Sequence, residues 1–242
     1  YLAGLRTFDD AFIDYLRDFR PRCTIQAVPE GTVVFPHEPV LQVEGPLIEA
    51  QLLETAILNM LNYPTLVATK AARIRQACGG DRLVEFGLRR AQGPDGGLSG
   101  SRAAYIGGAD STSNVLAGKA YGIPVTGTHA HSWVMSFDDE LTAFRTYAQC
   151  YPEPILLVDT YDSRTGGIPN AIRVARELEV RGHRLAGIRL DSGDPLSLCR
   201  LARNMLDEAG LDYVKIVLSN DLDEYAIRDL VKYGVPADVF GV

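Results

Sequence analysis

From Arg82 onward the chain alternates short apolar runs with helix-patterned stretches, and no other feature narrows its fold so far. The runs expected as strands are Leu83–Phe86, Tyr105–Gly107, Ile123–Thr126, Ile155–Val158, Leu185–Leu190, Val214–Leu218 and Ala237–Phe240. Helices are expected between most of them, at Ser113–Tyr121, Asp139–Tyr151, Asn170–Val180, Pro195–Ala209 and Leu222–Tyr233. Such alternation is the pattern of a parallel α/β sheet or a (β/α) barrel.

The first 80 residues read differently. Phe8, Phe12, Tyr15, Leu16 and Phe19 lie at helical spacing, with Asp9 and Asp10 in the favourable first turn. Thr32–Phe35 and Val40–Glu44 then read as strands of a small antiparallel layer punctuated by prolines. Two helices follow, Leu47–Asn62 and Thr65–Cys78, separated at Pro64, whose ring disfavours a continuous helix. The expected organisation is therefore an α/β N-terminal part over 1–80 and a barrel domain over 81–242. Tyr1 in place of an initiator methionine, and an end inside the strand-like run Ala237–Val242, suggest an internal segment of a longer protein.

Polar groups recur directly after the apolar runs. They are Arg89 and Arg90, then Asp110, Thr128 and His131, Asp159 and Asp162, Asp191 and Asp194, and finally Ser219, Asn220 and Asp221. In a (β/α) barrel these converge at the C-terminal mouth, where such folds assemble their active sites. Any one of them is equally explained as a turn residue or helix cap, but the repetition favours a site.

The balance of 24 basic against 31 acidic residues opposes non-specific attraction to nucleic acid. Small phosphorylated ligands remain compatible with it. Apolar runs such as Ile155–Val158 fall far short of the roughly 20 residues that span a membrane, so no membrane association is expected and a cytoplasmic location is the default. Cys23, Cys78, Cys150 and Cys199 lack metal-ligand spacing and read as buried thiols in a reducing compartment.

Three stretches concentrate chemistry. In Gly127-Thr-His-Ala-His131, continued extension would put His129 and His131 on one face. A metal clip, a structural pair, and one histidine acting as nucleophile or acid–base group are the alternatives. The metal reading lacks further ligands, since His37 lies in the proline-rich layer and His183 in a helix-to-strand turn at the opposite end of the barrel. Arg189-Leu-Asp-Ser-Gly-Asp194, followed by Pro195, offers backbone N–H groups at a strand-to-helix turn, a phosphate cradle with Asp191 and Asp194 available to a ribose hydroxyl or magnesium. Phe86-Gly-Leu-Arg-Arg90 and the glycine-rich loop Ala91–Gly97 combine a ring and two guanidinium groups, able to stack a flat heteroaromatic ring while a charge faces a carboxylate or phosphate; a surface loop with solvated arginines is the alternative.

Taken in order, Phe86-Gly-Leu-Arg-Arg-Ala-Gln-Gly-Pro-Asp-Gly96, Gly107-Gly-Ala-Asp-Ser-Thr-Ser-Asn114, Gly127-Thr-His-Ala-His-Ser132, Leu157-Val-Asp-Thr-Tyr-Asp162 and Arg189-Leu-Asp-Ser-Gly-Asp194 resemble nicotinate phosphoribosyltransferases. The likeness also takes in Tyr1–Phe8 and Glu38–Pro46. That family belongs to the type II phosphoribosyltransferases, with the nicotinamide and quinolinate enzymes. The resemblance implies an irregular (β/α) barrel beside a smaller α/β N-terminal domain, working as a homodimer with shared active sites. It implies the joining of nicotinate to 5-phosphoribosyl 1-diphosphate, giving nicotinate mononucleotide and diphosphate, as the first step of NAD salvage from nicotinate. ATP is an expected co-substrate, hydrolysed through a phosphohistidine, which places the reaction among ligase-type enzymes.

By the same match His131 is the phosphorylated residue, with Asp159 as its catalytic partner. Thr128 and Arg189 contact nicotinate, Phe86 and Arg89 flank its ring, and Asp159, Asp191, Ser192 and Gly193 lie along ribose and phosphates, the aspartates helping with magnesium or with orienting His131. Asp110 and Asn220 complete the expected substrate contacts, Mg²⁺ is the expected metal with Asp191 its ligand, and His129 has no implied role. A nicotinamide transferase, with Asp110 accepting from the amide, and an inactive nucleotide-sensing relative are the competing readings.

Overall fold

A computed structural model describes residues 1–242. They divide into two compact units, Tyr1–Asn62 and Tyr63–Val242.

The first unit holds helices α1 (Leu2–Leu5) and α2 (Asp10–Arg17) and the strands β1 (Thr24–Ala27) and β2 (Leu41–Glu44). Asp9 caps α2 by accepting the N–H of Phe12, and the expected apolar stripe appears as a ladder of rings through Phe8, Phe12, Tyr15 and Phe19. β1 and β2 pair antiparallel from Thr24↔Glu44 to Ala27↔Leu41. The strand expected at Thr32–Phe35 is instead part of the loop joining them. Left-handed backbone at Gly31 and His37, and turns closed by Thr32 N–H to Pro29 O and Glu38 N–H to Phe35 O, override the β-branched run. Glu49, 1% exposed, receives the backbone N–H and guanidinium of Arg22.

The two helices expected on either side of Pro64 form one, α3 (Leu47–Ala77), with the proline inside it. A proline removes one backbone bond of a helix interior, at a cost of about 3 kcal/mol. The turns beyond it are held by other means: Ala71 and Ile74 are buried, and Gly107 approaches so closely that a Cβ there would lie 2.4 Å from Ala68 O.

The second unit is a curled parallel sheet of six strands in the order β4-β3-β8-β7-β6-β5. Its strands are β3 (Arg82–Glu85), β4 (Ser111–Thr112), β5 (Ile155–Leu157), β6 (Gly187–Leu190), β7 (Lys215–Ser219) and β8 (Val239–Gly241). Leu83, Leu156, Ile188, Leu190, Ile216 and Phe240 are fully buried, as expected of a parallel sheet covered on both faces. The helices are α4 (Gly93–Ile106), α5 (Val115–Tyr121), α6 (His131–Met135), α7 (Glu140–Cys150), α8 (Ile168–Val180), α9 (Pro195–Glu208) and α10 (Glu224–Lys232). Asn114, Asp139, Asp194 and Asp223 cap α5, α7, α9 and α10, each worth on the order of 1 kcal/mol.

Two expectations fail here for identifiable reasons. Tyr105–Gly107 is the end of α4 rather than a strand, because the glycine-rich stretch before it is helical, opened by Pro94. Its glycines disfavour a helix by about 1 kcal/mol each, yet a Cβ at Gly97 would lie 2.6 Å from Leu88 Cδ1 and one at Gly100 2.9 Å from the Tyr63 hydroxyl. Close packing therefore selects glycine within a helix. Ile123–Thr126 reaches the sheet only through a single bridge, Thr112↔Val125, with Thr112 N–H donating to Pro124 O and Thr126 N–H to Thr112 O. The sheet is thus a half-barrel open between β4 and β5.

All four cysteines are free; Cys78 and Cys199 are buried, Cys23 is half-buried, and Cys150 is exposed, so burial holds for only part of the set. No helix is long and apolar enough to cross a membrane.

Candidate active site

The C-terminal ends of β3, β6, β7 and β8 border a cleft lined by Phe86, Arg89, Arg189, Asp191, Ser219 and Asn220, with Gly241 and Val242 at its base. Phe86 follows β3 directly, and its backbone N–H donates to Val242 O at 2.5 Å. A Cβ at Gly241 would stand 2.6 Å from the Phe86 ring, so glycine there gives the ring its place.

Arg189 is the centre of the cleft. Its side chain is 15% exposed and projects from β6. Nε donates to Ser219 Oγ at 2.8 Å, one terminal nitrogen to Thr128 Oγ1 at 2.9 Å, and the other to Asp191 Oδ1 at 2.7 Å. The guanidinium carbon lies 5.2 Å from the centroid of the Phe86 ring, a cation–π distance. Ser219 also donates to Asp191 Oδ1 at 2.5 Å. Burial pushes the Asp191 carboxyl up, but the Ser219 hydrogen bond and the Arg189 charge outweigh it and hold the group below the ordinary aspartate value.

Asp191 connects this cluster to His131. The Asp191 Oδ2 to His131 Nε2 distance is 3.5 Å, and His131 Nδ1 stands 3.2 Å from Thr160 Oγ1. His131 opens the short helix α6, and its side chain remains 38% exposed. Asp159, 7% exposed, underlies the next turn: its Oδ2 accepts the backbone N–H of Asp191 and the Ser192 hydroxyl, both at 2.7 Å. Gly193 takes left-handed backbone (φ +75°) in that turn, where a Cβ would also lie 2.7 Å from Leu198 Cδ1. The turn then enters α9 at Asp194 and Pro195.

The structure therefore brings together Phe86, Arg89, Thr128, His131, Asp159, Arg189, Asp191, Ser192, Gly193 and Asn220. Asp110 is not among them. It precedes β4, receives the Leu83 N–H at 2.7 Å and pairs with Arg75 at 3.1 Å, at the beginning of β3 rather than at its end. The reason is the displaced strand: with Tyr105–Gly107 in a helix, Asp110 leads into β4 instead of following a strand. Asp162 and Asp194 prove to be caps, accepting the N–H groups of Thr165 and Ser197, and Asp221 pairs with Arg90 at 2.6 Å.

The two histidines part company. Extension stops at Ala130, where α6 begins, so His129 and His131 do not share a face. His129 is buried, with rings of Phe144 and Tyr147 beside it, and its Nε2 accepts the Leu157 N–H at 3.1 Å. Burial lowers its pKa to about 4, so it is neutral. The metal clip is thereby removed, and the motif reduces to Thr128 and His131. For magnesium, Asp191 Oδ1 is taken by Arg189 and Ser219, which leaves Oδ2. That single oxygen, which also faces His131 Nε2 at 3.5 Å, suits an ion held chiefly by substrate phosphates.

Ser219, Thr160 and Glu85 also build the site. Glu85 accepts from the Gly87 backbone and, at 2.5 Å, from Thr112 Oγ1, which fixes the turn carrying Phe86 and Arg89. The position of Ser219 after a strand was its only sequence signal; Thr160 had none beyond lying within a matched motif, and Glu85 none beyond lying in the expected strand Leu83–Phe86.

Residues 1–62 match the profile of the nicotinate phosphoribosyltransferase N-terminal domain, and residues 82–237 that of the nicotinate phosphoribosyltransferase family. Over all of this chain, the Bacillus subtilis nicotinate phosphoribosyltransferase is 50% identical, the match covering 49% of that relative. The Dictyostelium discoideum nicotinate phosphoribosyltransferase is 42% identical, with 97% of this chain and 48% of the relative covered. Among solved structures, human nicotinic acid phosphoribosyltransferase superposes with a TM-score of 0.93 at 39% identity, covering 100% of this chain and 60% of that one. Nicotinate-nucleotide pyrophosphorylase from Pyrococcus furiosus gives 0.81 at 34% identity, covering 91% and 56%. The chain spans about half the length of the curated relatives it matches. With two profile matches and these identities over an arrangement of the same motifs at one strand-end cleft, the chain belongs to the nicotinate phosphoribosyltransferase family.

Proposed function

We propose that the protein containing this chain transfers the phosphoribosyl group of 5-phosphoribosyl 1-diphosphate to nicotinate, as the first step of NAD salvage from nicotinate, with ATP hydrolysis coupled through a phosphohistidine at His131. The carrying observation is Arg189: a largely buried guanidinium, beside an aromatic ring, whose donors rest partly on the hydroxyls of Thr128 and Ser219. Hydroxyl oxygens are weaker acceptors for a cation than a carboxylate is. Nicotinate can therefore replace the Thr128 hydroxyl without stranding a charge, with Ser219 still holding Nε and the flat ring meeting Phe86.

The displacement needs no covalent sugar intermediate. The lone pair of the nicotinate ring nitrogen forms a bond to C1 of the ribose as the C1–O bond breaks, and diphosphate leaves with the bonding electrons. Charge develops on the ribose and on the leaving group, so positioning and electrostatics dominate. Arg189 orients the acid, and the Asp191-Ser192-Gly193 turn at the start of α9 holds phosphate and ribose oxygens. Magnesium arriving on the diphosphate would neutralise charge there, with Asp191 as its protein ligand.

In the coupled step a His131 ring nitrogen attacks the γ-phosphorus of ATP, the P–O bond breaks and ADP departs; water later cleaves the N–P bond to release phosphate. Asp191 and Thr160 flank the two ring nitrogens and orient the imidazole. The homodimer with shared sites is part of the same reading.

The placement of Asp110 favours nicotinate over nicotinamide, because the carboxylate that would serve an amide is committed to Leu83 and Arg75. His131 at the cleft favours turnover over ligand sensing. Incubation of the full-length protein with γ-labelled ATP tests the coupling: acid-labile phosphate on the protein, absent from His131→Ala, is expected. An unlabelled wild-type protein would remove the phosphohistidine.

A further inference from the structure

His129 takes no part in the transfer chemistry, yet its contacts lead to His131. The residue is buried, and its Nε2 accepts the Leu157 N–H at 3.1 Å. The ring proton therefore sits on Nδ1, which stands 3.4 Å from Ala130 O. One imidazole thus reaches from the edge of β5 to the peptide group that enters His131. Tyr147 packs edge-on against it with ring centroids 4.7 Å apart, and the Phe144 ring lies at 5.8 Å.

Little else fixes His131. Helix α6 has five residues, too few to be stable by itself. The Ala130 carbonyl faced by Nδ1 also accepts the Trp133 N–H at 3.0 Å, so it belongs to the first turn of that helix. The polar neighbours of the His131 ring, Thr160 Oγ1 at 3.2 Å and Asp191 Oδ2 at 3.5 Å, are at or beyond the length of an ordinary hydrogen bond. Those contacts hold the ring weakly. The Leu157 N–H, in a residue 1% exposed, would instead be stranded without an acceptor if the His129 segment moved, a change that burial opposes strongly.

The two histidines make successive links between the same two segments. His129 to Leu157 is the deep link, and His131 to Thr160 is the one at the cleft. We propose that His129 is a positioning residue for His131: by holding the Leu157 N–H and the Ala130 carbonyl on one ring, it keeps the His131 imidazole in register with Thr160. The linkage belongs to the fold; its kinetic consequence rests on the phosphohistidine reading above. Thr128 lies on the same segment, but Arg189 keeps Ser219 and Asp191 as partners and Phe86 keeps its seat on Gly241. The effect therefore falls on phosphoryl transfer to His131 more than on nicotinate affinity.

The test uses the full-length protein as wild type, His129→Leu and His129→Gln, at a temperature where melting curves show all three folded. Leucine fills the space but neither accepts nor donates, whereas a glutamine amide can accept from Leu157 and donate to Ala130 O. Should the leucine variant not fold, His129→Asn, whose shorter amide does not span both groups, takes its place with the same expectation. Hydrogen exchange at the Leu157 amide is expected to be about 10-fold faster or more in the leucine variant and near wild type in the glutamine one. The initial rate of acid-labile labelling from γ-labelled ATP should fall about 10- to 100-fold with leucine, as misplacement of a reacting group by about 1 Å requires. Glutamine should restore it to within about 5-fold, and KM for nicotinate should move less than about 3-fold in either variant. Unchanged exchange or an unchanged labelling rate in the leucine variant overturns the proposal, as does a glutamine variant that regains slow exchange but labels no faster than leucine. An unlabelled wild type removes the phosphohistidine and this proposal with it; a labelled wild type matched by the leucine variant removes this proposal alone.

Discussion

Nε2 of His129 accepts the backbone N–H of Leu157 at 3.1 Å, on the side of β5 that faces away from β6. β5 is an edge strand, and an unpaired N–H there would be buried without a partner. The imidazole stands where the carbonyl of a neighbouring strand would be. Together with the Thr112↔Val125 bridge, it ties the 123–129 segment across the open side of the half-barrel.

This arrangement has a pH signature. His129 must be neutral to accept, and its pKa falls from the ordinary 6.5 to about 4 in the folded protein. The unfolded chain takes up the proton first, so stability is complete above about 6.5 and declines as pH falls toward 4. The full loss attributable to this group is about 3 kcal/mol. Urea unfolding of wild type and His129→Gln across that range should give a steep pH dependence in the first and a shallower one in the second. Identical slopes would show that His129 is not the group responsible.

Asp110→Ala separates a structural aspartate from a substrate contact. Losing the acceptor for the Leu83 N–H and the Arg75 ion pair should lower stability by about 1–3 kcal/mol. Turnover with nicotinate, measured below the melting transition, should change little. A selective rise in KM would instead restore Asp110 to the site.

Ser219→Ala removes one hydroxyl that bonds both Arg189 and Asp191. Hydrogen bonds to charged groups are worth about 1.5–3 kcal/mol, so kcat/KM for nicotinate should drop roughly 10- to 100-fold. Circular dichroism and melting temperature establish whether the fold persists, and an unaltered kcat/KM would mean that Arg189 is positioned without it.

Much of the site was legible because parallel strands put their C-terminal ends together: once β3, β6 and β7 were drawn, Phe86, Arg189, Asp191 and Asn220 had to meet. What misled was local. The glycines of α4 did not read as helix, since the close packing they permit, Gly97 against Leu88 and Gly100 against the Tyr63 hydroxyl, exists only in the folded chain. That error moved a strand and carried Asp110 with it. Pro64 was read by its cost alone. His129 depends on burial by a distant segment, through Phe144 and Tyr147, so its role had no sequence signature.

The central claim is that Arg189 receives the nicotinate carboxylate. The most direct measurement is kcat/KM of the full-length protein for nicotinate and nicotinamide, in wild type and Arg189→Ala. Wild type should strongly prefer nicotinate, and the substitution should lower kcat/KM for nicotinate by about 10³-fold while affecting nicotinamide far less, as loss of a charge-paired buried contact requires. Equal use of the two acceptors by wild type, or an undiminished preference for nicotinate in the variant, would contradict the account.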